Sequence, residues 1–277
     1  MSAPTPARRQ AIVRYLEWLD DDRVTRLYLA TALFLVACFI VLTPGWLMDT
    51  RTLDSADPLT KPQKFNVSLA LHFLTLAVLS QLLPRNVRTG WAMLVAAYLA
   101  CGSLVFETVY VTAQAARAER SHFNRDTPEQ ELLYAAMGIG AVLMIVAALV
   151  LAWQIWRKGD RGGAGLRLGA IVGLSAGFVL TLVLAGYMSS TGRYVGAELT
   201  GGGATVPFFG WSREYGDLRP AHFVSMHLMQ VVPFAGWLAD RRGWRPVPVV
   251  LGVAAAQCAL AVALFLQALA GRPFWPV

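Results

Sequence analysis

The side chains in this 277-residue chain that are best suited to bind a metal ion or a haem are its four histidines and one acidic residue. They are His72, His122, His222, His227 and Glu107. Neutral imidazole is the commonest protein ligand for metals, and a carboxylate completes many non-haem sites. These residue types predict either a haem b or a transition-metal site for iron, zinc or copper.

In the haem alternative, two histidines from different helices act as axial ligands of one iron. His72 and His227 fit this role because the spans that carry them place both at similar depth. Arg117 and Arg219 are then expected to pair with the haem propionates, because guanidinium groups bind carboxylates well. Gln230 shares a helical face with His227 and is expected to contact the cofactor.

In the non-haem alternative, the ion activates water or oxygen. His72, Glu107 and His227 are the expected ligands, together with either His122 or His222. Glu107 is then a ligand or a general base, and Gln230 and Tyr110 lie beside the ligands, so that Tyr110 is a second candidate catalytic residue. His222 and His227 are five residues apart and therefore about 140° apart on an ideal helix. They cannot form the i, i+4 pair that holds one ion from a regular helix.

The motif Ser68-x-x-x-His72 on the second predicted span, with Glu107 on the third, resembles the membrane zinc hydrolases that include alkaline ceramidases, haemolysin III and adiponectin receptors. The resemblance implies a zinc-dependent hydrolase in which these three residues belong to the site. The sequence departs from that pattern in three respects. The acid is Glu, the histidine pair is spaced HxxxxH instead of HxxxH, and the pair lies on the sixth span with none on the seventh.

A polar stripe runs along the third predicted span. Glu107, Tyr110, Gln114 and Arg117 follow the spacing i, i+3, i+7, i+10, which places them on one helical face. Lipid would penalise such a face, so we expect it to point into the bundle or a water-filled cavity. The alternative is a seam of hydrogen bonds between helices.

The composition of the chain predicts that these residues belong to a membrane protein. Hydrophobic residues make up 56% of the chain, charged residues only 15%, and the mean hydropathy is +0.49. These values exclude a disordered chain and an ordinary water-soluble enzyme. The net charge of +7 does not indicate nucleic-acid binding, because no soluble domain is present to carry a basic patch.

Seven stretches are long and apolar enough to cross the hydrocarbon core as helices. The sequence therefore predicts an all-α, seven-transmembrane-helix bundle over residues 27–271. An N-terminal arm with an interfacial amphipathic helix precedes it over residues 1–26, and a short outer tail follows over residues 272–277. The predicted spans are about 27–47, 65–83, 90–115, 132–156, 168–189, 221–239 and 247–271.

The distribution of arginine and lysine over the short loops predicts a cytoplasmic N-terminus and a periplasmic C-terminus. The composition, which is rich in Ala and Arg and poor in Lys, favours a bacterial inner membrane. With this orientation the four histidines and Glu107 all map to the outer side. A small-molecule or lipid substrate would then arrive from the outer side. The sequence allows both an oligomer and a complex with a partner subunit.

Two further functional classes stay open on the sequence. The first is a one-sided ligand-binding sensor or a transporter, and the second is a structural or assembly subunit without chemistry of its own. We expect no buried charged or polar residue in the inner half of the bundle, which disfavours a transport pathway. A small-residue stripe, Gly169, Gly173 and Gly177, predicts close packing of the fifth span against a neighbour.

Overall fold

The computed structural model describes residues 19–53, 57–196 and 203–275, and 74% of the chain is helical. Residues 1–18, which include most of the predicted interfacial helix of the arm, lie outside the described residues. The last two residues of the outer tail also lie outside them. The helices in chain order are α1 (Arg23–Met48), α2 (Thr60–Ser80), α3 (Arg85–Arg88), α4 (Trp91–Ala116), α5 (Pro128–Lys158), α6 (Ala164–Thr191), α7 (Arg219–Met226), α8 (Leu228–Arg242) and α9 (Pro246–Leu269). Strands β1 (Tyr194–Val195) and β2 (Gly216–Asp217) pair antiparallel between α6 and α7.

The all-helical prediction is confirmed, whereas the prediction of seven spans is met only in part. Among the described residues five helices, α1, α4, α5, α6 and α9, are long and apolar enough to cross a membrane. The second predicted span corresponds to α2, which begins five residues earlier than predicted and so includes Lys61 and Lys64. These lysines, with Asn66 and His72 further along, make α2 more polar than the five.

The sixth predicted span is divided into two helices. The division lies at His227, which ends α7 and precedes α8, and not at Pro233, six residues further along. Pro233 lies inside α8 and cannot donate a backbone hydrogen bond. The backbone at His227 still turns helically, because its N–H donates to the Phe223 carbonyl and its carbonyl accepts from the next turn.

The helices form two halves. α1, α2, α4 and α5 pack together around a large apolar cluster, and α6, α7, α8 and α9 form the second half. The halves meet where α5 contacts α6 and where α2 contacts α8. A side chain on the α2 face towards α8 therefore lies between the two halves.

Polar contacts tie the loops together at two opposite ends. At one end, here called the Arg88 end, Arg88 binds Asp22 and the carboxylate of Asp240 accepts from the first amides of α6. At the other, the hairpin end, Lys61 on α2 binds His122 after α4. β1 and β2 also lie at the hairpin end.

Glycines allow α6 and α8 to pack backbone to backbone, which confirms the packing predicted for the glycine stripe. A Cβ atom added at Gly169 would lie 2.7 Å from the Val232 carbonyl oxygen, and one at Gly173 would lie 2.6 Å from that of Leu228. The contact extends one turn further to Gly165. Such close approach is typical of helix pairs that associate in lipid.

Large apolar side chains cover the outside of the bundle. Leu33, Ile40, Val109, Ile139 and Val183 are each more than half exposed, although their helices are well packed on the opposite face. Monomeric soluble proteins rarely expose so much contiguous apolar surface. A lipid environment accounts for this surface.

Candidate functional site

One face of α2 carries a polar stripe that extends from the hairpin end towards the middle of the bundle. Lys61, Lys64, Ser68 and His72 lie on this face because their spacing follows the helical period. All four are half-buried, so they line the bundle interior and not its lipid-facing surface. His72 lies twelve residues from the start of α2, or about 18 Å at the helical rise. It is therefore near the middle of the helix.

His72 and His227 lie on either side of the boundary between the two halves, His72 on α2 and His227 between α7 and α8. Nε2 of His72 is buried and has no hydrogen-bond partner among the described residues. Nδ1 of His227 lies 2.7 Å from the Phe223 carbonyl oxygen, to which it must donate a proton. That hydrogen bond fixes the tautomer in which Nε2 of His227 carries the free lone pair.

His222 lies on α7, about one and a half turns before His227. Its Nδ1 is buried without a partner among the described residues. The residues that could bind an ion are nevertheless dispersed. In the described part of the chain no group of three or more His, Cys, Asp or Glu side chains could hold a metal ion.

His122 is engaged by its neighbours and not by the other histidines. Its Nδ1 accepts a hydrogen bond from the Lys61 ammonium at 2.9 Å and lies 3.3 Å from Oγ of Ser121. Its ring contacts Phe65 edge to face. Burial and the positive charge of Lys61 lower the pKa of His122 well below its ordinary value, so the imidazole is neutral at neutral pH.

The polar stripe on α4 is only partly buried. Glu107 and Gln114 face the interior, Tyr110 lies at the edge of the buried face, and Arg117 is exposed at the end of the helix. Oε1 of Glu107 has no hydrogen-bond partner among the described residues and lies 3.0 Å from the position of a Cβ at Gly140 on α5. The Glu107 carboxyl is thus seated against α5.

Arg219 holds the start of α7 to the hairpin. Its guanidinium donates to both carboxylate oxygens of Asp217, at 2.9 and 2.6 Å, and to the Gly210 carbonyl at 2.7 Å. The Tyr194 hydroxyl accepts a further hydrogen bond at 3.1 Å. Gln230 lies half-buried in the first turn of α8, three residues after His227.

An aromatic cluster covers His227 on the hairpin side. The rings of Phe223 and His227 lie 4.1 Å apart, and Phe209 stacks on Trp211 at 4.4 Å. Both Phe209 and Trp211 also contact Phe223. Lys64 Nζ donates to the Phe209 carbonyl at 2.9 Å, which attaches the segment before β2 to α2.

Two groups of polar residues were missed by the sequence analysis. Lys61 and Lys64 share the face of His72. Their spacing predicts this once the helix is taken to begin at Thr60, about one turn before the predicted span. At the opposite end, Arg88 and Gln81 are fully buried and Asp22 is almost so. The expectation that the inner half holds no buried charged or polar residue is therefore wrong. The loop arginines were interpreted only as determinants of membrane topology.

Comparisons with known proteins give no relative. No family model, no curated protein and no solved structure matches the chain.

Proposed function

We propose that this protein crosses a membrane seven times and binds one haem b between its two halves, with His72 and His227 as the axial ligands. Two observations carry the proposal. His72 lies on α2 and His227 at the start of α8, two helices from opposite halves that contact each other. Nε2 of His72 is buried without a partner among the described residues, and the Nδ1 hydrogen bond of His227 leaves its Nε2 as the unprotonated nitrogen. A haem with both axial positions filled by protein has no open position for a substrate. The proposed role is therefore electron transfer at the membrane and not oxygen binding.

Haem suits these ligands better than a bare ion does. A zinc or non-haem iron site takes three or more protein ligands, and the described residues offer no such group. Haem supplies four equatorial nitrogens itself and takes only two from the protein. The hydrogen bond from His227 to a backbone carbonyl is the usual support of a metal-bound imidazole. Arg219 and Lys64, which already bind Asp217 and the Phe209 carbonyl, are the candidate partners of the propionates. Arg117, the other residue expected in this role, is exposed at the end of α4.

The purified protein tests this proposal through its absorption spectrum. We expect a Soret band and a haem-to-protein ratio of one, with the band lost or strongly reduced in His72→Ala and in His227→Ala. His122→Ala is the matched control, because His122 is equally buried but bound to Lys61, and it should keep the wild-type spectrum. If protein supplied with hemin binds none, the haem proposal is wrong.

A second candidate, capture of a polar small molecule from one side of the membrane, is favoured by a separate observation. Asn66 Oδ1, Glu107 Oε1 and Thr108 Oγ1 are buried and have no hydrogen-bond partner among the described residues. Buried polar atoms normally have partners, so such atoms indicate bound water or a ligand. A protein without haem whose thermal stability rises with a polar compound, but not in Glu107→Gln, would favour this candidate.

The seven-crossing arrangement is supported by the lengths of the two more polar helices. α2 has 21 residues, or about 31 Å, and α7, His227 and α8 together run from Arg219 to Arg242. Each is long enough for a hydrocarbon core of about 30 Å. The basic loops favour a cytoplasmic N-terminus. The composition, rich in Ala and Arg and poor in Lys, favours a bacterial inner membrane.

Cysteine labelling tests this orientation. In intact cells a membrane-impermeant maleimide should label Arg272→Cys, beyond α9, and should label Arg242→Cys, at the end of α8, only after lysis. Both positions are exposed, so access depends on the side of the membrane. Labelling of Arg242→Cys in intact cells would contradict the orientation.

A further inference from the structure

A groove of about 600 Å³ lies at the Arg88 end, between the start of α1 and the start of α4. It is remote from the histidines and is independent of the proposed haem. Its charged rim includes Arg23, Arg26 and Arg85, and Leu27, Ala30 and Leu94 form an apolar wall. The groove is therefore polar at the end of the bundle and apolar further in.

The rim has a surplus of positive charge. Asp21 and Asp22 also line the groove, but both are occupied. Asp21 forms an exposed ion pair with Arg26, and Asp22 accepts from Arg88 and from the first amides of α1. Arg23 and Arg85 form no ion pair with a described residue, and Arg85 donates only a long hydrogen bond of 3.5 Å to the Asp21 main-chain carbonyl. The charges of both guanidinium groups are therefore available to an anion at the rim.

The apolar wall runs from the charged rim along the axis of α1, which is the direction that the acyl chain of a bound lipid would take. Arg23 and Ala30 are seven residues apart on α1, which is about 10 Å along the helix axis. Leu94 lies one turn into α4 on the opposite side of the groove. A phospholipid with its phosphate at Arg23 and Arg85 would therefore have an acyl chain that runs along Leu27 and Ala30.

The rim is held in place before any ligand binds. Asp22 caps α1 through the amides of Val24 and Thr25 and also binds the fully buried Arg88. This fixes the start of α1 against α3, and hence Arg23 relative to Arg85. A preorganised pair of cations loses little conformational freedom when it binds an anion.

We propose that this groove binds one anionic phospholipid, with its phosphate at Arg23 and Arg85 and an acyl chain against Leu27, Ala30 and Leu94. A zwitterionic lipid fits less well, because the rim carboxylates that could receive its amine are already paired. Basic residues at a membrane surface attract anionic headgroups through the same charge complementarity.

Native mass spectrometry of the protein from bilayers of equal phosphatidylglycerol and phosphatidylethanolamine tests the proposal. We expect one retained phosphatidylglycerol, and roughly tenfold less of it in the double variant Arg23→Ala, Arg85→Ala. The control Arg242→Ala, Arg245→Ala removes two exposed arginines from the same end, away from the groove, and should retain lipid as the wild type does.

Ala30→Phe provides an independent test, because it fills the apolar part and leaves every charge unchanged. It should also reduce retention, while its unfolding temperature stays within the range of the control. Equal retention of both lipids, equal loss in the control, or no retained lipid because another segment occupies the groove would each overturn the proposal.

Discussion

Replacement of Arg88 by alanine is expected to destabilise the protein more than any other single charge removal among the described residues. Arg88 is fully buried and donates from Nε to Asp22 and from Nη2 to Asp20, both at 2.5 Å. It also donates to the Leu83 carbonyl at 3.1 Å. Removing it leaves the Asp22 carboxylate buried without its cation, a change that costs about 3–5 kcal/mol.

The loss should extend to three segments that Arg88 holds together. Asp20 also binds Arg161, which follows α5, and Gln81 at the end of α2 accepts from the Asp20 amide. The hydrogen bonds from Arg88 and Arg161 lower the pKa of Asp20 below its ordinary value. This contribution to stability is present above about pH 4 and is lost as the pH falls through the lowered pKa. In Arg88→Ala only Arg161 remains to lower this pKa, so the loss should be smaller and should be complete at a higher pH.

The measurement is reversible unfolding in mixed micelles, followed by circular dichroism. Arg26→Ala is the matched control, because Arg26 pairs with Asp21 in an exposed ion pair with a similar distance of 2.5 Å. It should unfold like the wild type, since exposed pairs contribute little. The double variant Arg88→Ala, Asp22→Ala should lose less than the sum of the two single variants. Equal stability of Arg88→Ala and Arg26→Ala would contradict the described network.

The second large effect is expected at the contact between α6 and α8. In Gly173→Val the new Cβ would lie 2.6 Å from the Leu228 carbonyl oxygen and 2.8 Å from Pro233 Cδ. Neither atom is the end of a flexible side chain, so the helices must separate. Overpacking of this kind costs about 1–3 kcal/mol, and more where the backbone cannot shift.

Gly186→Val is the control for this substitution. Gly186 lies on the same helix, and a Cβ there would meet nothing within 4 Å. Both variants carry the same β-branched residue, so the difference in their unfolding free energies measures the clash. The account predicts a lower midpoint for Gly173→Val and a nearly unchanged one for Gly186→Val. Equal midpoints would show that α6 and α8 do not approach as described.

The sequence predicted the helical class and the glycine contact because hydropathy and small-residue spacing are local signals. For the same reason, five of the seven predicted spans correspond to described helices that are long and apolar enough to cross a membrane. The bounds of α2 were less accurate, because Lys61 and Lys64 lower the hydropathy of a turn that is nevertheless helical. The division at His227 could not be predicted, because no proline or glycine occurs there and the helical hydrogen bonds largely continue.

The candidate site was harder to predict than the fold, because it depends on how helices rotate about their axes. The sequence placed His72 and His227 together, and they lie on α2 and at the start of α8, helices that contact each other; their joint binding of a cofactor stays a prediction. It also grouped His122 and Glu107 with them, whereas His122 binds Lys61 and Glu107 packs against Gly140. A helical face gives the direction of a side chain but not the neighbour it meets.

Buried charges at the Arg88 end show a further limit. Arg88 lies in a short loop, where arginine is expected to face the cytoplasm and to set topology. It is buried because it binds the carboxylates of Asp20 and Asp22, which are more than sixty residues away in the chain, and the carbonyl of Leu83, five residues before it. Such long-range partners leave no pattern in the local sequence.

Electron paramagnetic resonance of the oxidised, hemin-loaded protein tests the central claim most directly, because it reports the axial ligands of the iron. The account predicts a low-spin ferric signal with two imidazole ligands in the wild type and in His122→Ala. In His72→Ala and in His227→Ala the account predicts conversion to a high-spin signal. A low-spin signal that persists in both of these variants, or a protein that takes up no hemin, would contradict the assignment of His72 and His227.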